Sequence, residues 1–151
     1  MLFRSTIFRF FNTYGPSQSV DFVVSRFLAA ALKGEDITIY GDGSQTRTFT
    51  FIDDNIETIF TCHKCNLFLN DVINIGSDKL VTIKELADEI ISLTGSKSKI
   101  SYLPPLKEGD MTRRQPDNSK MKVVLGRDLI PLKEGIIRMM QDKRYLMSIG
   151  L

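Results

Sequence analysis

Strand-like and helix-like segments alternate along the chain, which predicts an α/β or α+β fold. Three observations carry that expectation. Runs rich in β-branched and aromatic residues are short and end in turn clusters. The segments between them set apolar residues on one helical face and stop at glycine. The strands are several and brief, which suits a small lobe better than a complete doubly wound sheet.

Residues 4–11 read as a strand that gives way to the turn cluster Asn12-Thr13-Tyr14-Gly15-Pro16. A buried-looking strand with no element before it suggests a polypeptide that begins earlier, because parallel strands need covered faces. Residues 20–33 read as a helix with Phe22, Phe27, Ala30 and Ala31 near one face and Gly34 as its stop. Ile37–Tyr40 reads as a strand, Gly41–Ser44 as a tight turn and Thr48–Ile52 as another strand. Asp53 or Asp54 is expected to cap a helix running to about Lys64. Val72–Ile75 reads as a strand. Thr82-Ile83-Lys84-Glu85 is a capping box, opening a helix that Gly95 stops after Thr94. Ile100–Leu103 is a strand ended by two prolines, and residues 107–117 form a polar loop. Helices over about 118–125 and 132–143 complete the chain.

Composition narrows the function. The 151 residues are 42% hydrophobic and 25% charged, with a formal net charge of +2. That apolar content excludes a disordered chain. Twenty basic residues nearly matched by 18 acidic ones argue against a nucleic-acid footprint. No apolar run approaches the ~18 residues of a membrane span. Arg4 and Arg9 interrupt the apolar start, so it lacks a signal-peptide core. Two cysteines make no disulfide scaffold, and a cytoplasmic location is expected.

Three loops carry candidate chemistry. In Arg9–Pro16, Asn12 offers an amide at the carboxyl end of a strand, where open α/β sheets bind ligands; the alternative is a plain turn. In Ile37–Arg47, Arg47 beyond a Gly-x-Gly turn can make paired bonds to a phosphate; the alternative is a hairpin with a solvated arginine. In Asp110–Asp117, Arg113 and Arg114 can clamp an anion or simply be solvated. Two arginine loops together favour a diphosphate site. Cys62-His63-Lys64-Cys65 has too few companions for zinc and closes a helix rather than opening one, so it reads as structural. No glycine-rich dinucleotide fingerprint occurs, and none of the four tyrosines has a lysine four positions later. The chain has anion-binding features without a complete catalytic apparatus.

Taken in order, Arg9–Pro16, Gly34–Phe49, Asp53-Asp54, Val72–Gly76, Thr82–Ala87, Arg113-Arg114-Gln115-Pro116-Asp117 and Leu125-Gly126 resemble the extended short-chain dehydrogenase/reductase family. Its members are NAD-dependent sugar-nucleotide epimerases, dehydratases and decarboxylases. The Gly-Asp-Gly-Ser-Gln-Thr-Arg and Arg-Arg-x-Pro-Asp runs look most like UDP-glucuronate decarboxylase, with dTDP-glucose dehydratases and UDP-sugar epimerases near. The resemblance covers the C-terminal half of such an enzyme. It implies that residues 1–19 are a late strand and loop of a Rossmann-type NAD-binding domain, and 20–151 a sugar-nucleotide-binding lobe.

The same resemblance implies roles. Asn12 would sit by the diphosphate or sugar and beside the nicotinamide, with Tyr14 on the cofactor side but not the catalytic tyrosine. The start of the 20–33 helix would offer N–H groups to the diphosphate. Thr38 and Tyr40 would line the base and ribose pocket. Arg47 and one of Arg113 and Arg114 would hold phosphates and ribose, with Asn74 a lesser contact or packing residue. No metal is implied. NAD belongs to the full-length family enzyme and none is expected on this chain alone, which would then turn nothing over. The segment between Pro16 and Val23 is shorter than in typical decarboxylases, and Arg127-Asp128 stand where the family usually has an aromatic. The expected partners are a UDP-sugar and the N-terminal Rossmann half. Self-association through residues 1–12, or their rearrangement, is also expected from the bare apolar strand. The alternative functional reading is a stand-alone, inactive nucleotide-binding or regulatory module.

Overall fold

A computed structural model describes residues 4–105 and 115–151. Eight strands and six helices occur among them: β1 Thr6–Phe10, β2 Thr13–Tyr14, α1 Val23–Lys33, β3 Ile37–Tyr40, β4 Thr46–Arg47, β5 Thr50–Phe51, α2 Ile52–Cys65, β6 Asp71–Ile75, β7 Val81–Thr82, α3 Ile83–Thr94, β8 Ile100–Leu103, α4 Ser119–Leu125, α5 Leu132–Gln141 and α6 Lys143–Ser148. The strands associate in four pairs. β1–β6, β2–β5 and β3–β8 are parallel, and β4–β7 is antiparallel. The mixed α/β class expected from the sequence holds.

Local chemistry explains the best-defined helices. Val24, Phe27, Leu28 and Ala31 form the buried stripe of α1. Gly34 ends it in the left-handed conformation (φ 72°), its N–H returned to the carbonyls of Ala30 and Ala31. In α3 the stripe is Ile83, Leu86, Ala87 and Ile90. The expected capping box is present: Thr82 Oγ1 accepts from the Glu85 N–H, and Glu85 accepts from the Thr82 N–H.

Two apolar clusters result. The larger joins α1, α3, α5, α6 and β3 through residues including Phe27, Leu28, Ile39, Leu86, Ile90, Ile136 and Tyr145. The smaller gathers Cys62 of α2, Ile73 and Ile75 of β6, and Met121 and Leu125 of α4, with Phe8 of β1 packed against it. β1 lies beside β6 in register from Thr6↔Asp71 to Phe10↔Ile75, so both strands end at the same side of the molecule.

Several expected boundaries move. The first strand is shorter than 4–11, and the first helix starts at Val23 rather than residue 20. The run Thr48–Ile52 is not one strand. Thr48 and Phe49 lie between β4 and β5, Thr50–Phe51 form β5, and Ile52 begins α2. Neither Asp53 nor Asp54 caps α2; Phe51 holds the cap position without a side-chain bond. Asp54 is engaged elsewhere, accepting from the Ile130 N–H at 2.9 Å and lying 2.8 Å from the Arg127 guanidinium. Arg127 also pairs with Glu57, which accounts for a cation where the family resemblance leads one to expect an aromatic. Gly41–Ser44 does not close a hairpin, because β3 pairs with β8 and β4 with β7. The final helix divides at Asp142, whose carboxylate accepts from the Arg144 and Tyr145 N–H groups and so starts α6 anew.

Candidate functional site

A cavity of about 1210 Å³ opens among the end of β1, the start of α1, the end of β3 and the β4–β5 segment. That is at or above the ~300–1,000 Å³ of small-molecule sites. Asn12, Tyr14, Tyr40 and Arg47 all line it, so four of the expected site residues meet at one place. Thr38 does not join them. It lines a second cavity of about 470 Å³ with Ile37, because the first half of β3 faces that cavity while Ile39 and Tyr40 at its end reach the larger one. Arg113 and Arg114 lie outside the described residues.

The loop that carries Asn12 is held from behind. Its carbonyl accepts from the Thr50 N–H at 3.0 Å, and Asn55 Nδ2 donates to Thr13 Oγ1 at 2.7 Å. The Asn12 side-chain amide has no hydrogen-bond partner among the described residues. Tyr14 differs. It is 1% exposed, packs edge-on to Phe51 with centroids 5.4 Å apart, and donates its hydroxyl to the Leu132 carbonyl at 3.2 Å. Burial pushes its pKa well above the ordinary value, so the phenol stays neutral. Its side chain is therefore committed to the core.

The Gly41–Ser44 turn is built for position. Gly41 and Gly43 have φ of 72° and 77°, which only glycine adopts freely. Asp42 accepts from the Ser44 N–H and hydroxyl, which lowers its pKa, and Gln45 Nε2 donates to the Tyr40 carbonyl at 3.0 Å. The carbonyls of Gln45 and Gly43 in turn accept from the Ile83 and Lys84 N–H groups. With Thr82 Oγ1 on the Glu85 N–H, the first three donors of α3 are all taken. The turn thus clamps α3 and leaves its N-terminus unavailable to an anion. It also delivers Arg47, whose Nη1 donates to the Thr46 carbonyl at 2.8 Å.

The start of α1 is the opposite case. Its cap, Phe22, makes no side-chain bond, and no acidic residue sits in the first turn. The N–H groups of Val23, Val24 and Ser25 have no acceptor among the described residues. Val23 and Val24 line the cavity. Three open donors at the positive end of a helix dipole favour an anion there. The sequence points to this donor set but not to three further arginines of the cavity rim. Arg26, Arg138 and Arg144 also line it. Arg138 pairs with Asp53 and Glu134, and Arg144 with Asp142.

The loop beyond Arg114 is pinned to the end of β6. Gln115 donates to the Asp78 carbonyl, Asn74 Nδ2 to the Asp117 carbonyl at 2.9 Å, and Asn118 Nδ2 to the Gly76 carbonyl at 2.8 Å. Asn74 is thus a positioning residue for that loop. A Cβ on Gly76 would lie 2.8 Å from Phe11 Cβ and 2.9 Å from Pro116, so glycine permits this loop to meet the segment carrying Asn12. Among the described residues no cluster of His, Cys, Asp or Glu can hold a metal ion. Cys62 is buried and Cys65 exposed, and both are free thiols.

The model of the NAD dependent epimerase/dehydratase family matches residues 2–76. The chain belongs to this family. It is 38% identical over 136 residues to "UDP-glucuronic acid decarboxylase 1" of Danio rerio, a match that covers 88% of this chain and 32% of that protein. Among solved structures, the UDP-glucose 4-epimerase of Thermotoga maritima, determined with UDP-glucose, superimposes with a TM-score of 0.84 at 30% identity, over 96% of this chain and 46% of that one. MoeE5 in complex with UDP-glucuronic acid and NAD gives a TM-score of 0.79 at 31% identity, over 90% and 46% of the two chains. The chain therefore spans about a third to a half of these relatives. Among the described residues no helix is long and apolar enough to cross a membrane.

Proposed function

We propose that this chain is the sugar-nucleotide-binding part of an NAD-dependent epimerase, dehydratase or decarboxylase that acts on a UDP-sugar, UDP-glucuronate foremost. One observation carries the reading: Val23 and Val24 with their open N–H groups, Asn12 with its uncommitted amide and Arg47 line a single cavity. The relatives support the substrate class through the UDP-glucose and UDP-glucuronic acid that two of them hold.

In this reading the diphosphate rests on the Val23–Ser25 N–H groups and meets Arg47. Tyr40, 38% exposed at the end of β3, faces the ribose or base. Thr38 is reached only by a ligand that continues past Arg26 into the smaller cavity. Arg113 or Arg114 completes the grip on phosphate and ribose. Asn12 addresses the sugar and, in the complete enzyme, the cofactor. Tyr14 serves the cofactor side by fixing the end of β1 rather than by contact through its hydroxyl.

NAD, when bound, supplies the hydride exchange that activates the sugar. The uncommitted Asn12 amide fits a polar group of the cofactor, and the remainder of the cofactor site falls to the Rossmann half that the resemblance places before this region. We assign that half to the bare edge of β1. This chain alone binds nucleotide sugar and turns nothing over, in keeping with its lack of a glycine-rich loop and a Tyr-x-x-x-Lys pair. The free thiols suit a reducing cytoplasm.

Titration calorimetry with UDP tests the site. Arg47→Ala is expected to weaken binding by about 1.5–3 kcal/mol, the usual worth of a bond to a charged group. Equal affinities in wild type and variant would remove Arg47 from the site.

A further inference from the structure

Arg26 is one of three cavity arginines that neither motif nor resemblance singled out. It stands one turn into α1, just past the open donors of Val23, Val24 and Ser25. Its guanidinium lies 5.6 Å from the centre of the Phe27 ring. It lines the larger cavity together with Arg47, and it also lines the smaller one, on the wall the two share.

The other cations of the rim show what is unusual about it. Arg138 is held by Asp53 and Glu134, and Arg144 by Asp142. Arg26 pairs with no carboxylate among the described residues. The two acids that line the larger cavity, Asp53 and Asp142, are the ones already engaged by Arg138 and Arg144. A guanidinium stacked on an aromatic ring is oriented at little entropic cost, and its planar fork matches two phosphate oxygens.

We propose that Arg26 is a further phosphate-binding arginine, which acts with Arg47 to select a nucleoside diphosphate over a monophosphate. Arg47 comes from the β4 side of the cavity and Arg26 from α1, so the two approach from different elements. A ligand with two adjacent phosphates can engage both, and one with a single phosphate loses one of them. This rests on the nucleotide-binding reading above and adds a determinant of ligand class to it. The simpler alternative is an arginine that merely covers Phe27 and is solvated.

The experiment is calorimetric titration of UDP and UMP into wild type, Arg26→Ala, Arg26→Lys and Lys33→Ala. Lys33 is an exposed cation on the same helix that lines only the smaller cavity, so its variant controls for loss of general positive charge. Arg26→Ala is expected to weaken UDP about tenfold and UMP by less than about threefold. Arg26→Lys should recover part of the UDP affinity, and Lys33→Ala should bind as wild type. Unchanged UDP affinity in Arg26→Ala overturns the proposal and leaves the nucleotide site standing. An equal loss for UDP and UMP, or an equal loss in Lys33→Ala, overturns it as well. Failure of wild type to bind UDP at all overturns the nucleotide-binding reading and this proposal with it.

Discussion

Tyr14 sits inside a ligand-facing motif yet spends its side chain on the core. The reason lies 121 residues away at Gly135, in the middle of α5. A Cβ there would overlap the Tyr14 hydroxyl and come within 2.9 Å of the Phe51 ring, so only glycine lets α5 approach. Gly135→Ala is expected to destabilise the chain by about 1–3 kcal/mol through overpacking, read from urea unfolding. Because Tyr14 immediately follows the Asn12 loop, the same variant should also weaken UDP binding. Unchanged stability would mean that α5 can shift without cost. At this scale the sequence was informative where motif and geometry coincide, as at Asn12, Tyr40 and Arg47. It could not place Thr38 or Arg26, because which cavity a side chain lines depends on how α1 meets β3. A glycine inside a helical run was the available hint at Gly135, and it speaks of close packing without naming the partner.

Among the elements, α3 shows what local signals achieve. The Thr82–Glu85 box is encoded within four residues, and the fold realises it as read. Thr82→Ala should cost about 1 kcal/mol of unfolding free energy and loosen the Gly41–Ser44 turn that rests on the same helix start. If Arg47 delivery depends on that turn, UDP affinity falls with it. At the other end of the chain, Asp142 starts α6 and its pKa is pushed down to about 2, first by its bonds to the Arg144 guanidinium. A carboxylate depressed in the folded state adds stability above its unfolded pKa of ~3.9 and loses it as pH falls through the folded value. Backbone chemical shifts of α6 should therefore hold from neutral pH to about 4 and move toward coil between about 4 and 2. Asp142→Asn should abolish that transition; an unchanged profile would show that the carboxylate does not hold α6. The strand boundaries were harder to read. β2, β4 and β5 are two residues each, and their partners are distant in sequence, so nothing local marks them.

For the whole molecule, the parallel register of β1 and β6 brings the Asn12 loop and the Gly76 segment out at the same end of the strand pair. The α/β class and the family motifs were legible because they are ordered along the chain. The pairing of β1 with β6 was not, since 65 residues separate their first partners. Among the described residues, β6 is the one strand that pairs with β1. Ile7 is 56% and Phe10 55% exposed, an apolar surface that a parallel sheet ordinarily covers. Sedimentation velocity should show concentration-dependent association of the chain, and Ile7→Lys should reduce it without changing the unfolding midpoint by more than about 0.5 kcal/mol equivalent. A monomer at all concentrations would show that this edge is inert.

The central claim is that the cavity between β1, α1 and β4 holds a nucleotide diphosphate. The most direct measurement is titration of UDP into isotope-labelled chain with backbone amide resonances followed by NMR. Saturable shifts led by Val23, Val24 and Ser25, joined by Tyr40 and Arg47, are expected, with α4 and the Lys120–Asp71 pair undisturbed. Shifts confined to α4 and β6, or none at millimolar UDP, would contradict the claim.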